Sequence, residues 1–328
     1  MRNFIFVIFI LFSQTKVKAD NIFYWKWQLL GDKIKITGTL NNEKSTTIYS
    51  ERIITKIRFS KLYNIIDEIE YSKLNLYLKT VDTLSKQLVK PFSAELDKCQ
   101  SIIIEIDSSL LNFGIEFLNF RTETIAIYRP LVFKINDKGE VDGMDTLSLT
   151  RGCIIRDPTS DPENACRNIY RSYPTSEFKS AYKIYEKDLI LKDNIDFILI
   201  SAHGDADSLT FKGGVALNKI ENMNPYFLKV NNPKVVYIDG CQQGINWTYI
   251  EALSETKEIN FYLGPIVSND SGESSTKTIN WFFSYLSKTH NPVVSLWETR
   301  KKLYSHYTKK IKAMDVINKS FIFRIYKV

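Results

Sequence analysis

A chain of 328 residues that is 44% hydrophobic and 25% charged carries enough apolar material for one sizeable core, which excludes a disordered or collagen-like protein. Its net charge of +7 includes Arg2, Lys16 and Lys18 at the extreme N-terminus, and the mildly basic remainder gives no reason to expect a nucleic-acid partner. The four cysteines are scattered without a paired C-x-x-C, so a zinc site is not expected.

Residues 1–19 read as a secretory signal. Arg2 gives the positive start, residues 4–12 are an unbroken apolar run, and Val17-Lys18-Ala19 places small residues at a cleavage site. The run falls short of the roughly 20 residues that span a bilayer; an uncleaved N-terminal anchor is the alternative. The expectation is an exported protein, periplasmic or secreted, with no stable membrane insertion after cleavage.

Residues 20–57 have the texture of a small β-rich region. Trp25, Trp27 and Leu29 alternate, as do Ile34 and Ile36, with Gly31-Asp32 and Asn41-Asn42 as turns. From about 59 to 96 the period is helical, with Leu62, Ile65, Ile66 and Ile69 on one face, and Pro91 ends the run. Strands are predicted over 101–107 and 146–155, with an apolar stretch at 124–135 between them. A polar loop at 157–164 precedes helices over 165–173 and 177–189. Beyond residue 244 the pattern predicts a helix at 245–255, a strand at 259–267, helices at 271–288 and 292–311, and a closing strand at 320–328. This alternation implies an α/β fold with a mostly parallel sheet flanked by helices on both faces.

Two apolar runs, 195–202 and 235–238, have the composition of buried parallel strands. The first delivers His203-Gly204 and the second delivers Cys241-Gln242-Gln243-Gly244. Sites in open α/β sheets collect beyond the carboxyl ends of parallel strands, and neighbouring strands lie about 4.8 Å apart. A base and a thiol nucleophile can meet there. Taken singly, Cys241 reads rather as a small buried hydrophobe and His203 as a structural loop residue; their joint placement after two strands is what favours a catalytic site.

The order of an apolar block, His203-Gly204, a spacer, a second apolar block and Cys241 resembles the caspase, gingipain, legumain and separase superfamily of cysteine peptidases. Within it, strand–His-Gly, hairpin, strand–x-Cys-x-x-Gly is similar to CHAT-type domains. The resemblance covers residues 58–328 and implies a caspase-like sheet. It implies that Cys241 attacks a peptide carbonyl, that His203 is the general acid–base, and that the N–H groups of Gly204 and Cys241 form an oxyanion hole. The partner would be a protein or peptide substrate, and the dyad chemistry calls for no metal or organic cofactor. An inactive member of the fold, serving as an interaction module, is the alternative.

Gingipain- and separase-like enzymes hold an acidic residue in the pocket before the scissile bond. Asp270 stands in a corresponding stretch, and Asp239, two residues before Cys241, is a second substrate-binding candidate; cleavage after Arg or Lys would follow. Asp270 reads equally as a cap for the following helix. Cys153 and Cys166 bracket the 157–164 loop and are either a disulfide or free buried thiols.

Overall fold

The computed structural model describes residues 21–41, 45–135, 146–190, 194–217, 222–255 and 261–328. The expected signal at 1–19 lies outside them. Among them no helix is long and apolar enough to cross a membrane.

The protein is an α/β structure built on an eleven-stranded, mostly parallel sheet. Three strands open the chain: β1 (Ile22–Leu30), β2 (Lys33–Leu40) and β3 (Thr46–Glu51), an antiparallel meander. In β1 the alternation works as read: Phe23, Trp25 and Trp27 are fully buried against Phe59 and Phe92, and their neighbours face outward. The meander is continuous with the main sheet, because β1 pairs in parallel with β4 (Ser101–Ile106).

Between them lie the helices α1 (Arg52–Asp67), α2 (Leu74–Leu84) and α3 (Ser93–Lys98). The helical region therefore begins earlier than its apolar period suggested, and the expected boundary between residues 57 and 58 falls inside α1. Thr55 is buried there while Ile53 and Ile57 are exposed, so the first turn of α1 runs against the hydrophobic pattern. A two-residue ladder, β5 (Asn119–Phe120) with β6 (Glu123–Thr124), and the short α4 (Ile125–Tyr128) lead into β7 (Leu131–Ile135).

The second half of the sheet carries β8 (Gly152–Arg156), α5 (Ala165–Ser172), β9 (Glu177–Ser180), β10 (Phe197–Ser201), the small hairpin β11 (Gly204–Ala206) and β12 (Gly213–Val215), α6 (Tyr226–Asn231), β13 (Val235–Asp239), α7 (Trp247–Ser254) and β14 (Phe261–Pro265). Helices α8 (Glu273–Thr289), α9 (Pro292–Tyr307) and α10 (Ala313–Phe321) then precede β15 (Phe323–Lys327). Two expectations are corrected. Residues 177–189 are not a helix: they hold edge strand β9, paired in parallel with β8, followed by 3-10 turns. The closing strand is shorter than the predicted 320–328, since α10 runs to Phe321 and β15 begins at Phe323.

The strand order is β3-β2-β1-β4-β7-β15-β14-β13-β10-β8-β9. Strand β15 runs parallel to β7 and antiparallel to β14, so the two halves of the sheet run in opposite directions and meet at β15. Strands β8, β10, β13, β14 and β15 are buried along their whole length, as expected of strands covered on both faces. On one face Tyr237 and Phe197 pack against Phe282 and Phe283 of α8 and Tyr173 just after α5. On the other, Ile198 and Ile200 border a small apolar space shared with Phe227 and Leu228 of α6.

Candidate active site

Strands β10 and β13 are adjacent and parallel, with Ser201 opposite Asp239. His203 and Cys241 each follow that pair by two residues, so both leave the sheet at the same rim. They line one cleft of about 270 Å3, together with Asp239, Asn269 and Asp270. Larger hollows beside Lys90 and Arg121, and beside Tyr173 and Phe283, contain no thiol–imidazole pair.

The turn that carries Cys241 is held in a costly conformation. Gln242 adopts left-handed backbone angles at φ 60°, which disfavours a residue with a side chain by about 1–2 kcal/mol. The Gln242 amide donates to Val267 O at 3.1 Å, and its side-chain oxygen accepts from the Ala206 amide at 3.3 Å. Gln243 is fully buried and ties the turn to the histidine hairpin: its Nε2 donates to Asp205 O, Gly214 O and Cys241 O at 2.9–3.1 Å. Its Oε1 accepts from Asn246 at 2.9 Å. The glycine of Cys-x-x-Gly has a steric reason: a Cβ on Gly244 would lie 2.4 Å from Gly264 O of β14.

The thiol is half-buried. Sγ accepts from the Asn269 amide at 3.4 Å and lies 3.7 Å from Asn269 O. Burial pushes the thiol pKa up, Asp239 and Asp67 push the same way, and the Asn269 amide only partly opposes them. The resting sulfur therefore keeps its proton at neutral pH, and attack requires a base at hand.

His203 is exposed on the cleft side, and its Nε2 lies 2.8 Å from Thr159 Oγ1. Thr159 in turn bonds Asp157 Oδ1 through both its hydroxyl and its amide, at 2.7 and 2.8 Å. Burial works against ionisation of Asp157, but these bonds, with help from Tyr182 and His203, hold its carboxyl below the ordinary value.

Two backbone amides lie next to the pair, those of Gly204 and Cys241. Ala216 N–H donates to His203 O, so His203 and Ala216 form a hydrogen-bonded pair of the β11–β12 ladder, and the next pair, Gly204 and Val215, is of the non-bonded kind. The Gly204 N–H accordingly points away from β12, and a Cβ on Gly240 would lie 3.5 Å from it. The Cys241 N–H has no backbone acceptor among the described residues and lies against its own Sγ.

The two acidic candidates differ in kind. Asp239 is buried, and its carboxylate accepts from Ser201 at 2.8 Å, Ser275 at 2.5 Å and Asn269 Nδ2 at 2.7 Å. Burial pushes its pKa up to about 6 despite those donors. Its oxygens are engaged in organising the floor of the cleft, leaving little to offer an incoming cation. Asp270 is exposed at the lip, 3.2 Å from Lys319. It does not cap α8, whose N-cap is Gly272 without a side-chain bond.

Cys153 and Cys166 are buried free thiols, as is Cys99, and Cys241 is also free of any disulfide. Among the described residues no three His, Cys, Asp or Glu side chains come together to hold a metal ion.

Sequence reasoning passed over Asp157, Thr159, Gln243, Asn269 and Asp67. The Asp-x-Thr turn was locally legible as a side-chain-to-backbone motif, but its histidine partner lies 44 residues away. Asp67, at the end of α1, accepts from the Ser268 amide at 2.5 Å and so braces the loop that carries Asn269. No protein-family model matches the chain, and no curated protein is significantly similar to it.

Proposed function

We propose that the chain is an exported cysteine endopeptidase of the caspase-like, CHAT-resembling kind, in which His203 and Cys241 form the catalytic dyad. The observation that carries this reading is the shared register: an imidazole and a thiol leave adjacent parallel strands two residues beyond one cross-strand pair and line one cleft.

The geometry supports a two-step reaction. His203 takes the thiol proton as Sγ bonds to the substrate carbonyl carbon, and the imidazolium then protonates the amine as the C–N bond breaks. Water, deprotonated by His203, attacks the thioester, releases the acid and returns the thiol. The Gly204 and Cys241 N–H groups are the donors for the oxyanion in both steps. The raised thiol pKa fits a general-base mechanism and argues against a standing thiolate–imidazolium pair. Asp270 at the lip supplies the acidic character behind a preference for Arg or Lys before the cut, with Asp239 acting indirectly through the loop that it anchors.

A thiol-reactive peptide probe with Arg at the reactive end tests the reading. Labelling at Cys241, lost in Cys241→Ala and strongly slowed in His203→Ala, is expected. A folded protein whose Cys241 reacts no faster than a simple thiol, with or without His203, would instead indicate the interaction-module alternative.

A further inference from the structure

Behind the histidine lies a chain of side chains that the dyad alone does not explain. Asp157 is a buried residue in the loop after β8, and its amide donates to Ser201 O at 2.7 Å, which fixes it against β10. Its Oδ1 receives the Thr159 hydroxyl and amide, and Thr159 Oγ1 also contacts His203 Nε2 at 2.8 Å.

A hydroxyl has one proton. An ionised carboxylate can only accept, so the Thr159 proton is committed to Asp157, and Oγ1 is left to accept from His203. That fixes the ring: Nε2 carries hydrogen, and in the neutral imidazole Nδ1 is the lone-pair nitrogen. We infer that Asp157 and Thr159 are positioning residues that lock His203 in the Nε2–H tautomer and leave Nδ1 as its basic atom. Neither touches the reacting atoms; both act through the ring. The inference rests on reading His203 as the base for Cys241. The titratable groups lining the cleft with the ring are Cys241, Asp239 and Asp270, with Asp157 behind it.

The tautomer can be measured without any substrate. Nitrogen-15 NMR of the His203 ring, at a pH where it is neutral, is expected to show one protonated Nε2 and an unprotonated Nδ1. Thr159→Val removes the hydroxyl at nearly constant size and should give a tautomer mixture; Thr159→Ser should restore the single form; Asp157→Asn should loosen it with the fold retained. In parallel, alkylation of Cys241 by iodoacetamide, followed by mass spectrometry across pH, should slow about tenfold near neutrality in Thr159→Val and recover in Thr159→Ser. A wild-type ring protonated on Nδ1, or a Thr159→Val protein with an unchanged tautomer and unchanged alkylation profile, would overturn the inference. Correct tautomers in a protein that cleaves no peptide would leave the relay standing and remove only the peptidase reading.

Discussion

Ser201 and Asp239 face each other across β10 and β13, and the Ser201 hydroxyl donates to Asp239 Oδ2 at 2.8 Å. This single bond lies two residues below both His203 and Cys241. Asp239 also takes Ser275 from α8 and Asn269 from the loop beside the thiol, so one buried carboxylate joins two strands, a helix and the cleft wall.

The first prediction follows from that burial. Asp239 titrates near 6 in the folded protein, against about 3.9 in an unfolded chain. The folded state binds this proton more tightly, so its contribution to stability is complete below about pH 4. It is lost as pH rises to about 6, a change of about 3 kcal/mol. Denaturant unfolding at a series of pH values should show that Asp239→Asn gains on the wild type between pH 4 and 7. A parallel pair of curves would show that the carboxylate is not held in this way.

Gln243 should be costly to replace. Gln243→Leu keeps much of the volume but strips donors from three carbonyls at the junction of the cysteine turn and the histidine hairpin. A loss of about 3 kcal/mol is expected from the carbonyls left unpaired. Unfolding midpoint measurements check this, and the Cys241 labelling rate should fall with it.

Glu116 and Arg324 are both fully buried and joined, with Arg324 also donating to Leu111 O and Phe113 O at 2.6 Å. Glu116→Gln leaves the guanidinium without its counter-charge, and about 3–5 kcal/mol of stability should be lost. A folded variant with an unchanged midpoint would contradict this.

Asp270 and Lys319 make the fourth test. Because Asp270 is more than half exposed, the proposed contact with a substrate cation would be worth at most about 1 kcal/mol. Asp270→Ala should reduce kcat/KM for substrates with Arg before the cut by about fivefold, and Lys319→Ala, which frees the carboxylate, should raise it. Peptide-library profiling that shows an acidic or apolar preference would remove the proposed specificity altogether.

What was legible in the chain was what burial writes uniformly. The runs ending at Ser201 and Asp239 are buried at every position, so they stand out without periodicity, and His203 and Cys241 follow directly from them. Glu177-Phe178-Lys179-Ser180 misled because its residue types tolerate a helix, and only pairing with β8 makes it a strand. The first turn of α1 was missed because it exposes Ile53 and Ile57 to solvent. The supports of the site were illegible for another reason. Asp157 and Thr159, Asn269 and Asp67 each gain meaning from a partner tens or hundreds of residues away, and no local pattern encodes that distance.

The place of β15 in the sheet bears on assembly. It follows every other strand in the chain, yet it sits between β7 and β14 near the middle. Its Tyr326 hydroxyl donates to Gly244 O at 2.7 Å, and its Arg324 reaches back to Glu116. Among the described strands, each half of the sheet is joined to the other only through β15. Such long-range pairing makes for slow folding, and the rear support of the turn that bears Cys241 depends on it.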